Sequence, residues 1–240
     1  ILVVQVIFIY LGILLAVQIF YQRYTDLVYM QAETMLDLYS QSIERKLENI
    51  EQDSYMILSD QNLQGMFEII NNAESQYDAY RAEREIAESL TNYLAGIDDS
   101  NIITFVSLNG EQTSSYYRSK KRISFSEEEL ARLLDLAQSG YGKGMWSYSM
   151  DQEEIYLVRM LRENINGRFY ALGTLIITCP MEKIFSYKFP TSYGYTPLVI
   201  VSDSERNITS NDGTLNEAFP VLDLKGSPGI REIAGEEYYC

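Results

Sequence analysis

The chain has 240 residues, with 34 Asp and Glu against 19 Lys and Arg and a formal net charge of −15. A surface this acidic repels phosphate backbones, which excludes nucleic acid as a partner. There is no histidine, so Ser-His-Asp and Cys-His catalysis, the usual zinc sites and a phosphoacceptor histidine are all excluded within this segment.

The first charge is Arg23, and Ile1 to Gln22 forms an uninterrupted uncharged run. As a helix it spans about 33 Å, enough to cross a bilayer core. Ile19, Phe20, Tyr21 and Tyr24 stand where a signal peptide would carry small residues for cleavage, and the aromatics suit an interfacial belt. A buried core helix is the alternative, though a run of this length without an ion is long for one. No basic flank orients the run. All the net negative charge follows it, and a region so poor in Lys and Arg belongs outside the cytoplasm.

From Tyr24 to Asn71 the composition favours helix without a proline and with Gly65 alone as a glycine. Tyr29, Ala32, Leu36, Ile43, Leu47, Ile50 and Ile57 fall on a three-four spacing, with Ser40 and Ser54 interrupting the stripe. The expectation is one long helix, continuous with the apolar run and partly free to meet a second subunit. A second helix is expected over Tyr77 to Ala95, ending at Gly96.

After Gly96 the period changes. Ile102 to Leu108 reads as a strand closed by Asn109-Gly110, with Gln112 to Arg118 returning. Ser126-x-x-Glu129 opens a helix that Gly140 ends. The glycines from Gly140 to Gly144 follow that helix where a phosphate loop would precede one, so they read as a turn. Strands follow at Met145 to Ser149, Ile155 to Arg162 and Phe169 to Thr178, with turns at Asp151-Gln152 and Asn166-Gly167. The order β-β-α-β-β-β behind a long helix requires an antiparallel sheet with helices against it, an α+β fold.

Pro190 to Thr196 reads as a linker, and Leu198 to Asp203 with Ile208 to Ser210 repeats the opening of the first module. Glu237 to Cys240 hints at one more strand, which leaves the second module short of a complete sheet. Cys179 and Cys240 form no CxxC pair, so neither a metal knuckle nor a redox motif is present, and one disulfide between them stays open. Neither a metal nor another cofactor is expected. Acidic pairs such as Asp98/Asp99 are solvated surface rather than an acid-base couple.

The long helix, the segment IITFVSLNG, Gly144-Met145-Trp146 and above all IYLVRMLREN..GRFYALGTLIITCPMEKIF from Ile155 to Phe185 resemble the double Cache sensor region of YesM-like bacterial sensor histidine kinases. The resemblance implies a transmembrane helix at 1–22, two sensor helices at 23–98, a membrane-distal PAS-like Cache module with a five-stranded sheet at 99–190, and the start of a membrane-proximal module at 191–240. It implies a membrane-anchored receptor whose residues after Arg23 sense a ligand outside the cell. The kinase half lies elsewhere and acts on a cytoplasmic response regulator, and two copies pair through the long helix. Chemotaxis receptors and cyclic-dinucleotide synthases share this sensor region, and an anchored surface protein without catalytic output is the alternative of another class. The Arg-x-Trp-Tyr signature of amino-acid-binding Cache domains is absent. In such a fold the ligand lies on the sheet of the first module, which nominates Tyr116, Arg118, Trp146, Tyr148, Tyr156 and Arg159. Flat rings with polar edges and two cations suit a sugar or a small carboxylate.

Overall fold

The computed structural model describes residues 2–96, 102–116, 125–186, 200–202, 207–210, 230–233 and 236–239. Arg118, the basic run Lys120 to Arg122, the linker Pro190 to Thr196 and Cys240 lie outside them. Two compact units emerge: residues 1–43 with 187–198, and residues 44–186 with 199–240.

In the first unit the described residues belong to helix α1 (Leu2–Ser59), which runs unbroken through the apolar segment. It holds a stretch long and apolar enough to cross a membrane, none of it buried. Phe8, Leu11, Leu15, Phe20 and Tyr21 are all exposed. Apolar side chains on every face of a helix are stable only in an apolar surrounding.

The second unit holds the end of α1, then α2 (Gln61–Asn72), α3 (Gln76–Gly96), β1 (Ile102–Val106), β2 (Gln112–Tyr116), α4 (Glu127–Ser139), β3 (Met145–Ser149), β4 (Glu154–Ile165), β5 (Arg168–Pro180) and α5 (Met181–Phe185). The single helix expected from Tyr24 to Asn71 is broken at Asp60. Asp60 adopts an extended backbone, and its carboxylate accepts hydrogen bonds from the amides of Asn62 and Leu63, starting α2 afresh. No proline or glycine marks the break; a carboxylate that can cap does.

The five strands form one antiparallel sheet in the order β2-β1-β5-β4-β3, so β2 and β3 are its edges. The expected β-β-α-β-β-β order is present, with β4 and β5 longer than predicted. Ile165 pairs with Arg168 across Asn166 (φ 54°) and Gly167 (φ 82°), the two positive dihedrals that a two-residue turn between twisted strands demands. Ser126 caps α4 by accepting from the Glu129 amide at 3.1 Å, as its pattern predicts.

The sheet is covered on both faces. On one, Tyr156 and Val158 of β4, Val106 and Ile176 pack with Phe125, Leu133 and Ala137 of and before α4. On the other, Phe105 of β1 stacks on Phe67 of α2 with centroids 4.1 Å apart, and Ile50 and Ile57 of α1 are fully buried. Cross-strand partners share a face, so Trp146, which pairs with Leu157, and Tyr148, which pairs with Ile155, lie on the same side as Arg159. Lys46 of α1 fastens α5: its ammonium donates to the carbonyls of Lys183 at 2.6 Å, Ser186 at 3.1 Å and Ile184 at 3.2 Å. A cation at the carbonyl end of a helix satisfies groups that have no partner within it.

Beyond residue 199, β6 (Ile200–Ser202) pairs with β7 (Asn207–Ser210), and β8 (Ile230–Ile233) pairs with β9 (Glu236–Tyr239), each as a separate two-stranded sheet. The opening hairpin and the final strand fall where the sequence places them; β8 was not foreseen.

Candidate functional site

Arg159 sits at the centre of β4 with no exposed surface. A guanidinium removed from water requires partners for its donors. Nε donates to Ser54 Oγ at 3.0 Å, Nη1 to the Gly142 carbonyl at 2.9 Å, and Nη2 to Glu51 Oε1 at 3.4 Å. The guanidinium carbon lies 3.7 Å from the centre of the Tyr55 ring, an attraction worth about 2 kcal/mol when water is excluded. The cluster thus ties α1, β4 and the glycine-rich turn together.

The geometry explains two sequence features. Ser54, a polar interruption of the apolar α1 stripe, is buried because its hydroxyl accepts from Arg159 while donating to the Glu51 carbonyl at 2.6 Å. Gly144 is glycine because a Cβ there would lie 2.8 Å from Leu157 Cδ1 and 2.9 Å from Arg159 Nη2. Glu51, the carboxylate partner, keeps 38% of its side chain exposed. Its 3.4 Å contact is the longest of the three, so α1 meets the cation most loosely at its wet edge.

Of the other nominated residues, Arg118 lies outside the described residues, and Tyr116, Trp146, Tyr148 and Tyr156 do not gather around Arg159. Trp146 and Tyr148 line a groove of about 150 Å³ with Leu47, Ser147, Ile155, Ile184 and Phe185. Tyr156 is buried on the opposite face, its ring edge-on to Phe125 and its hydroxyl 3.0 Å from Gln152 Oε1 and 3.2 Å from Glu154 Oε2. Burial, then the neighbouring Glu154 carboxylate, raise the Tyr156 pKa, so the phenol stays neutral. Tyr116 ends β2 at the far edge, four strands and about 19 Å across the sheet from β3. One small ligand cannot span that distance.

Leu47, Lys46, Glu51, Ser54 and Tyr55 were not nominated from the sequence. Only Ser54 carried a signal, as the polar residue on an apolar stripe. No cluster of three or more His, Cys, Asp or Glu able to hold a metal occurs among the described residues.

No protein-family model matches the chain. In sequence it is 24% identical over 185 residues to the sensor histidine kinase YesM of Bacillus subtilis, an alignment that takes in 77% of this chain and 31% of that protein. The chain therefore spans less than a third of that relative's length. Among solved structures, the ligand-binding domain of the Campylobacter jejuni chemoreceptor Tlp3 in complex with 4-methylisoleucine aligns with a TM-score of 0.44 at 14% identity, over 83% of this chain and 85% of that one. The Tlp3 sensory domain with isoleucine bound gives 0.44 at 13% identity, over 85% and 86%. The chain is thus similar to part of a bacterial sensor histidine kinase, in agreement with the YesM-like resemblance carried by Ile155 to Phe185.

Proposed function

We propose that this chain is the membrane-anchored sensing part of a transmembrane signalling receptor, whose output is a histidine kinase acting on a cytoplasmic response regulator. The observation that carries the reading is the alignment of 77% of the chain with a sensor histidine kinase. A membrane-length exposed apolar helix ahead of an α+β module supports it. In this reading residues 1–22 span the membrane, 23–98 and 99–190 build the distal module outside the cell, and 191–240 begin a proximal one. Two copies pair through the long helix. The ligand is a small molecule; if it is a sugar or a small carboxylate, Arg118 is the one of the two nominated cations left to hold it, because each nitrogen of Arg159 already donates to a protein acceptor.

One preparation tests both parts. In a Cys240→Ser background, Tyr77→Cys places a thiol at an exposed position of α3, and it should react with an impermeant maleimide on intact cells. Protection until the cells are lysed would refute the outside location. In the purified chain, a sugar or carboxylate that raises the melting temperature should lose that effect on Arg118→Ala, and an undiminished shift would remove Arg118 from the site.

A further inference from the structure

We propose that the groove beside β3 is a binding site for a small uncharged ring compound. It is formed by α1 through Leu47, by the edge of the sheet through Trp146, Tyr148 and Ile155, and by α5 through Ile184 and Phe185. Its volume of about 150 Å³ matches that of apolar cavities known to take a benzene-sized guest. Trp146 and Tyr148 supply flat walls against which a ring stacks offset or edge-on.

Charge decides the class of guest. The Ser147 hydroxyl is engaged on the opposite side, 2.7 Å from Nη1 of Arg132 on α4. The Lys46 ammonium beside Leu47 is engaged by two carbonyls of α5 and by that of Ser186 just past it. Arg159 is enclosed by its own partners. One helical turn from Leu47 stands the partly exposed carboxylate of Glu51. The groove is walled almost wholly by carbon, and the nearest carboxylate is already paired with Arg159, so an anion gains no counter-charge there and a guest that needs hydrogen bonds would lose them on entry.

This site goes beyond the sensing reading, and its test needs no signalling output. Trp146 is the sole tryptophan of the chain, so intrinsic indole emission reports on the groove directly. The full chain in lipid nanodiscs is titrated with fluorobenzene and, separately, with benzoate. The expected result is a saturable change in Trp146 emission with fluorobenzene and at least tenfold weaker binding of benzoate. Leu47→Phe, which fills the groove, should weaken fluorobenzene at least tenfold, whereas Tyr156→Phe on the opposite face should not. The absence of a saturable change, or equal binding of benzoate, overturns the proposal. Both are read on the unmutated chain, so neither depends on whether Leu47→Phe folds.

Discussion

Arg159 gives the sharpest stability contrast in the molecule. Its side chain is wholly buried and its partners come from α1 and the glycine-rich turn, so replacing it leaves Ser54 without its donor and opens space beside Tyr55 and Gly144. Arg159→Met keeps much of the volume and loses the hydrogen bonds and the ring contact; a loss of about 2–4 kcal/mol is expected in chemical denaturation. A loss below about 0.5 kcal/mol would mean that the guanidinium is held only incidentally. The sequence placed Arg159 between Leu157 and Leu161 and so required a partner for it, either a ligand anion or a protein carboxylate. It could not name Glu51, because that contact joins residues 108 apart. The same separation hid Lys46, whose acceptors lie 137 to 140 positions away. Contacts of this range are fixed by how α1 lies on the sheet, which local pattern does not encode.

At the scale of elements, the strands and α4 were legible because their signals are local: a short run apolar on both faces along β4, a capping Ser126, and Asn166-Gly167 between two apolar runs. The break between α1 and α2 was not, because helix propensity is flat across it and the decision falls to one side chain. Asp60 both caps α2 and accepts from the Tyr93 hydroxyl of α3 at 2.9 Å, which helps raise the Tyr93 pKa after burial. Asp60→Ala should therefore cost about 1–2 kcal/mol, and the amides of α2 should exchange faster than those of α4. Equal protection of the two helices would show that packing of Phe67 and Ile70, rather than the cap, fixes where α2 begins.

For the molecule as a whole, composition and the first charge at Arg23 set out the anchored, acidic plan, while the site dispersed once the sheet order was known. Tyr116 and Trp146 look like neighbours as strand residues and stand on opposite edges. Charge also sets a pH dependence. Glu163 has its pKa raised, first by a hydrogen bond shared with Glu68 and then by burial, and burial raises that of Asp53. Both bind protons more readily folded than unfolded, so their unfavourable contribution is complete at neutral pH and relieved as pH falls through the raised values toward the ordinary carboxylate range. Relief of repulsion within a chain of net charge −15 acts in the same direction. The melting temperature should rise from pH 7 to about 5, and Glu163→Gln should flatten the rise; a fall over that interval would contradict the assignment. The long β4–β5 hairpin has one more consequence. Past Leu161 its register shifts, and Ile165, Phe169 and Tyr170 are exposed around a tip that pairs only with itself. An epitope or fluorescent label spliced between Asn166 and Gly167 therefore leaves the packed faces of the sheet untouched, and makes that tip a handle by which the protein can be followed.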